Sequence, residues 1–254
     1  KQTAVVFGAA RGIGFAIAKE LAKEGALVTL VDRDPLVLES AKTLVDSTSL
    51  VLDVRNLDAV RSSFITLGPV DHAIYAVGIG SGQFGFPFWN VEPSVWAKVI
   101  DVNLMGAVNI AHVLGPKMAE AKRGSMLFLA SVAGQIGSQT DPPYSASKAA
   151  LLNFMQCAAK DLAPFGVRVN ALNPGMVQTE LNRSVWQSWA DRQPPEQRTP
   201  YETWAGEKIA KIVPLGRWQT PEDIAAMAAF LCSDRAANIT GQTINVDGGN
   251  VMHS

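Results

Sequence analysis

Tyr144 and Lys148 stand four residues apart in Tyr144-Ser145-Ala146-Ser147-Lys148, a spacing that puts both side chains on one face of a helix. A phenol titrates near pH 10, so an unaided tyrosine is a poor base at neutral pH. A neighbouring ammonium favours the phenolate, and one unit of pKa shift corresponds to roughly 1.4 kcal/mol. Such a pair can move a proton at a hydroxyl or carbonyl oxygen. The spacing also arises by chance, and Lys148 alone reads equally well as a solvated helix residue. Ser131 lies thirteen residues before Tyr144, at the end of a predicted strand, and Asn103 lies inside a predicted long helix. Taken singly, Ser131 reads as a strand-end cap and Asn103 as an ordinary helix hydrogen bond.

A second constellation opens the chain. Gly8-Ala9-Ala10-Arg11-Gly12-Ile13-Gly14 joins a strand-like run, Thr3–Phe7, to a helical pattern reaching about Lys23. Gly8 permits a tight turn, while Gly12 and Gly14 remove Cβ atoms where a backbone must approach a pyrophosphate. The helix that starts here points its free N–H groups at the same place. A glycine-rich turn alone is a weak signal, but here it has the strand before and helix after that a dinucleotide-binding turn requires. Asp32 ends the second predicted strand eighteen residues beyond Gly14. An acid there accepts hydrogen bonds from ribose hydroxyls and repels a 2′-phosphate, which favours NAD over NADP. Arg11 and Arg33 oppose this, since either reaches towards a 2′-phosphate. Asp32 weighs more, because a carboxylate held beside a phosphate is costly. Asp53 and Val54, after the third strand, are candidates for the adenine ring.

The elements that position these residues alternate along the chain. Strands are expected at Leu27–Val31, Ser49–Leu52, Ala73–Val77, Ser125–Ala130, Val167–Leu172 and Thr243–Val246. Helices are expected after Pro35, from Pro93 to about Ala121, over Tyr144–Pro164, and from Thr220-Pro221-Glu222-Asp223. Continuous apolar strands suit a parallel sheet covered on both faces. The prediction is an α/β fold: a Rossmann-type doubly wound parallel β-sheet flanked by helices, in a single domain over residues 1–254. One irregular stretch, Glu180–Lys211, carries Trp186, Trp189, Trp204, Tyr201 and three prolines. It lies beyond a strand end, where ligands bind in this architecture, and reads as a substrate lid over about 180–211. A fixed cover or a subunit contact is the alternative.

Bulk properties narrow the function classes. The 254 residues carry a formal net charge of −1, which gives no electrostatic pull towards nucleic acid or anionic lipid. The two cysteines, Cys157 and Cys232, lie in apolar helical patterns and read as buried thiols in a reducing, cytoplasmic setting. Three scattered histidines show no metal-ligand spacing, so no metal is expected. No stretch is read as a membrane span, and the strand-like opening predicts no signal peptide, although an initiator Met is missing and a few residues are expected to precede Lys1.

Three further stretches complete the pattern: Leu129–Gly134 around Ser131, Asp101–Gly106 around Asn103, and Asn173-Pro174-Gly175 with Thr179 just beyond. With them the chain resembles, over essentially its whole length, the single-domain Tyr-x-x-x-Lys branch of the short-chain dehydrogenase/reductases. The resemblance implies that Tyr144 is the general acid/base, that Ser131 binds the substrate oxygen, and that Lys148 holds the nicotinamide ribose and lowers the tyrosine pKa. It implies that Asn103 holds a relay water. Thr179 and the backbone near Val177, beyond Pro174 and Gly175, would bind the carboxamide. It further implies a homotetramer. Two departures stand out: Phe7 replaces the Thr usual before the first glycine, and Tyr75-Ala76-Val77-Gly78 replaces Asn-Asn-Ala-Gly. Gly78 is kept, so close approach to the cofactor remains open.

Substrate walls are expected from Ile79–Asn90 (Gln83, Phe84, Phe86, Phe88 and Trp89), from Gly134–Asp141 (Gln135, Gln139 and Asp141), and from the Trp-rich lid. The mixture suits a polyol or small polar alcohol, and shows no basic cluster. The closing Gly241–His253 segment resembles the tails of sugar-alcohol members. An NADPH-dependent 3-oxoacyl reductase, a sugar-nucleotide epimerase or dehydratase, and a silent dinucleotide-binding protein are the rivals. Asp32 opposes the first, chain length the second, and the intact Ser131/Tyr144/Lys148 set the third.

Overall fold

The computed structural model describes residues 1–65, 68–83 and 85–252. Among them seven parallel strands form one sheet in the order β3-β2-β1-β4-β5-β6-β7. These are β1 (Thr3–Phe7), β2 (Leu27–Asp32), β3 (Ser47–Val51), β4 (His72–Tyr75), β5 (Gly124–Leu129), β6 (Val167–Pro174) and β7 (Thr243–Val246). The helices are α1 (Gly12–Lys23), α2 (Leu36–Lys42), α3 (Leu57–Phe64), α4 (Pro93–Ile100), α5 (Gly106–Ala121), α6 (Pro142–Leu162), α7 (Glu180–Ala190), α8 (Tyr201–Ile212) and α9 (Pro221–Cys232).

The sheet is apolar on both faces because successive side chains point to opposite sides. Val6, Leu30, Leu127 and Leu129 meet Ile17 and Leu21 of α1 and Ile224 and Ala228 of α9. Val5, Phe7, Val31 and Phe128 meet Ile110, Leu114 and Met118 of α5 and Leu151 and Met155 of α6. Each such side chain contributes roughly 1.5–3 kcal/mol when fully buried, so two apolar layers hold the strands in register. Strand order reverses between β1 and β4. That switch point opens a crevice at their carboxyl ends, beside Gly8 on one side and Gly78 on the other.

Four expectations need correction. Glu180–Lys211 is not irregular: it contains α7 and most of α8, paired through their aromatic faces. Helix α3, capped by Asn56, was not anticipated, because eight residues are too few for a clear periodicity. Cys157 is exposed on α6, and only Cys232 is a buried thiol. By length and composition alone, the stretch Pro93–Ala121 is long and apolar enough to cross a membrane, with an 18-residue window of mean hydropathy 1.3. Here Ala107, Ile110, Leu114 and Met118 of that stretch are buried in the core layer on one face of the sheet.

Candidate active site

The cradle forms because β1 ends in a turn only glycine fits. Gly8 has φ +80°, and a Cβ on it would stand 2.8 Å from the Ala76 backbone. A Cβ on Gly14 would stand 2.1 Å from the Gly8 carbonyl oxygen, so first helix and first strand meet without side chains between them. Gly12, at φ +57°, faces open space. Helices α3, α6, α7 and α9 are each capped by a side chain, from Asn56, Asp141, Thr179 and Thr220 respectively. Helix α1 has no such cap, and its first turn contains no acid. Its first-turn N–H groups are thus available to an external anion. This arrangement fits a dinucleotide pyrophosphate.

Asp32 closes the same edge. Its carboxylate accepts from the Ala10 and Asp34 N–H groups, both at 3.0 Å, and each oxygen keeps further acceptor capacity for a ribose hydroxyl. Arg11 is committed to Asp34 and to Glu180, the latter at 3.0 Å. Of the two arginines that could meet a 2′-phosphate, Arg11 is thus already paired, whereas Arg33, next to Asp32, is exposed. Asp53 is gripped by Arg55 at 2.6 Å, which holds its carboxyl below the usual range, and the Val54 side chain is in the core. Asp53 thus keeps a partly exposed carboxylate, whereas only the backbone of Val54 is open to an adenine contact. Ile13 lines the cleft.

The proton-transfer group assembles at the ends of β5 and α6. Asp141 caps α6 by accepting from the Tyr144 N–H at 3.2 Å, and its other oxygen accepts from the Ser81 N–H at 2.7 Å. Tyr144 therefore sits in the first turn and Lys148 one turn later. The Ser131 hydroxyl accepts from the Ala133 N–H at 3.1 Å and lines the same cleft as Tyr144. Lys148 is buried; its Nζ donates to the Leu129 carbonyl at 2.7 Å and stands 5.6 Å from the Tyr144 ring centre. Burial dominates both groups. It pushes the Tyr144 phenol up to about 12, with the neighbouring Ser131 hydroxyl opposing and the Asp141 charge adding to the rise. It pushes Lys148 down to about 7. The expected lowering of the phenol by the ammonium is not found: desolvation sets the direction, and Lys148 is not among the groups that shift it.

Asn103 lies in a single π-turn, Asp101–Met105, between α4 and α5. A π-turn inserts one extra residue into a helix, and such turns are frequent at functional sites. The buried Asn103 amide accepts from the Ile79 N–H at 2.8 Å and donates to the Ile79 carbonyl and to Ser147 Oγ at 3.0 and 2.9 Å. It lashes α6 to the loop after β4. A Cβ on Gly78 would stand 3.2 Å from Lys148 Nζ and 3.8 Å from Asn103 Oδ1, so both polar groups converge where that glycine leaves room. Tyr75, which fills the place of the family's first Asn, is fully buried and donates to the Val102 carbonyl at 2.6 Å. A Cβ on Gly106 would lie 2.4 Å from that hydroxyl, which explains the glycine. Sequence reasoning missed this support; the signal available was a tyrosine where an amide is usual.

These groups line one cleft of about 440 Å³, with Ser131, Tyr144, Lys148 and Gly78 on its floor and Pro174, Gly175, Val177 and Thr179 along one side. Gly175 is required there because a Cβ would fall 2.7 Å from Asp247 Cβ. The Asn245–Gly249 stretch therefore buttresses the turn after β6; His253 lies outside the described residues. Of the expected walls, Gln83 and Asp141 line the cleft, whereas Gln135 and Gln139 do not. Phe86, Phe88 and Trp89 are exposed, and Phe84 lies outside the described residues. The cover contributes Leu181, Asn182, Ser184, Val185, Ser188 and Lys208. None of its tryptophans lines the cleft: Trp186 packs on Tyr201 at 5.9 Å and Trp189 on Trp204 at 6.2 Å, so the rings hold the two helices together.

Comparison with known proteins agrees with this geometry. The family model described as enoyl-(acyl carrier protein) reductase matches residues 8–250. An NAD-dependent glycerol dehydrogenase of Listeria innocua is 32% identical over 98% of this chain and 93% of its own. A 3-oxoacyl-(acyl-carrier-protein) reductase of Staphylococcus epidermidis is 32% identical over 99% of each chain. A proposed NAD(P)-dependent gluconate 5-dehydrogenase from Beutenbergia cavernae, with NADP bound at low occupancy, superposes with a TM-score of 0.86 at 33% identity, covering 98% of this chain and 96% of that one.

Proposed function

The chain belongs to the short-chain dehydrogenase/reductase family of oxidoreductases, and from that premise we propose that it is an NAD-dependent dehydrogenase interconverting a secondary alcohol and its ketone. The observation that carries this reading is that Ser131, Tyr144 and a buried Lys148, held by the Leu129 carbonyl, line one cleft with Ile13 of the glycine cradle and with Gly78. When bound, the nicotinamide dinucleotide supplies the hydride donor or acceptor. Ser131 donates to the substrate oxygen and Tyr144 transfers the proton at that oxygen. A phenol pushed up to about 12 is protonated at neutral pH, the state that reduction of a ketone requires. Oxidation needs the phenolate and gains rate as pH rises. Lys148 and Thr179 hold the nicotinamide end, and the Asn103 amide keeps the α6 turn in place.

Selection of NAD over NADP rests on Asp32 and on the commitment of Arg11 to two carboxylates. A small polar alcohol or polyol suits a cleft that mixes apolar walls with Gln83, Ser138, Asn182 and Ser188. The resemblance to glycerol and gluconate dehydrogenases supports that class. A cytoplasmic homotetramer belongs to the same reading. The second reading, an NADPH-dependent 3-oxoacyl reductase, is favoured by the S. epidermidis relative. Titration with NADH and separately NADPH, followed by nicotinamide fluorescence, separates them: tighter NADH supports the first, and tighter NADPH makes the second the better account.

A further inference from the structure

The cleft holds three charged side chains among the described residues, namely Asp141, Lys148 and Lys208. Two of them are engaged from within the protein: Asp141 accepts two backbone N–H groups and Lys148 donates to the Leu129 carbonyl. Lys208 is different. It comes from α8 in the cover, is half-buried, and lies with its Nζ 4.9 Å from the Trp204 ring centre. No carboxylate among the described residues pairs with it, since Glu202 serves Arg183 and the carboxylate of Asp141 faces Ser81 and Tyr144.

A lysine held along an aromatic ring keeps its stem in place while its ammonium retains three donors. Taking such a charge partly out of water without an acceptor is costly, and partly buried cations are normally paired. Here the surface next to Lys208 is the wall of the substrate cleft. We propose that Lys208 forms an anion subsite of the cleft, so that the substrate of the dehydrogenase proposed above is a hydroxy or keto compound bearing a carboxylate or phosphate. The ammonium would form a charge-assisted hydrogen bond to that group while Ser131 and Tyr144 engage the reacting oxygen. Desolvation lowers the Lys208 pKa, consistent with an ammonium short of acceptors. The subsite comes from the cover and not from the sheet, which is why a search for a basic cluster in the sequence does not find it.

The inference rests on the dehydrogenase reading, and one experiment keeps the two apart. NADH-loaded protein is titrated with two matched pairs, acetoacetate against acetoacetamide and dihydroxyacetone phosphate against dihydroxyacetone, following quenching of the nicotinamide fluorescence. The wild type is expected to favour at least one anionic probe over its neutral partner by about tenfold or more, the scale of one hydrogen bond to a charged group. The pair that shows the preference tells carboxylate from phosphate. Lys208→Met keeps the packing on Trp204 and should abolish the preference without changing NADH affinity, while Lys208→Arg should retain it. Equal binding of charged and neutral probes, or a preference that survives in Lys208→Met, overturns the subsite. Failure of NADH to bind at all overturns the dehydrogenase reading together with it.

Discussion

Tyr75→Phe removes one oxygen atom from the core and tests how the π-turn is held. The hydroxyl is fully buried and donates to the Val102 carbonyl at 2.6 Å, next to Asn103. Phenylalanine fills the same ring volume, so no large cavity opens. What is lost is a buried hydrogen bond, and leaving its acceptor short costs about 1–3 kcal/mol. For a domain of this size each kcal/mol moves the melting temperature by about 2–4 °C, so the variant should melt several degrees lower. Relaxation of the π-turn would also shift Asn103, which bonds Ile79 in the loop after β4 and Ser147 on α6, the helix that carries Tyr144 and Lys148. Turnover should therefore fall while NADH affinity stays near that of the wild type, because the Tyr75 hydroxyl bonds the Val102 carbonyl and not the cradle. Thermal denaturation, NADH titration and single-substrate kinetics read the three quantities. Unchanged melting temperature and unchanged kcat would refute the argument that Tyr75 supports the turn in place of the family's asparagine.

Gly14→Ala should abolish NADH binding and lower stability, since its Cβ would stand 2.1 Å from the Gly8 carbonyl oxygen; circular dichroism with NADH titration checks both effects. Lys148 gives a pH signature. Its folded pKa of about 7 lies below the unfolded value, so between about pH 7 and 10.5 the unfolded chain binds more protons and stability rises with pH. Urea denaturation of the wild type and Lys148→Met across that window should show the wild type gaining stability relative to the variant as pH increases. A constant difference would mean that the ammonium is not desolvated.

The parts of this protein that sequence displays are those where local chemistry and global fold coincide. The run from Thr3 through Gly14, the capping box at Thr220 and Asp223, and the strand at Thr243–Val246 each announce themselves through residue type. Tyr144 and Lys148 were legible because helical spacing places both on one face. Contacts between distant segments were not. The pairing of Arg11 with Glu180 spans the cradle and the cover, and the commitment of Asp53 to Arg55 depends on a turn geometry. The cover misled because its three prolines before α8 and its dense aromatics disguise two helices whose aromatic faces pack on each other. Its tryptophans suggested a substrate wall, whereas the side chains that line the cleft there are smaller or polar, Lys208 among them. Burial likewise cannot be read from the Tyr144/Lys148 spacing, so the direction of the tyrosine shift came out opposite to expectation.

The central claim, that Tyr144 moves the proton in a nicotinamide-linked reaction, is tested most directly by Tyr144→Phe. A panel of secondary alcohols and ketones with NAD and NADH first identifies a substrate that the wild type turns over. On that substrate the variant should lose about 10²- to 10⁴-fold in kcat, the usual contribution of a general acid/base, while binding NADH as the wild type does. Turnover by the variant at the wild-type rate would contradict the assignment.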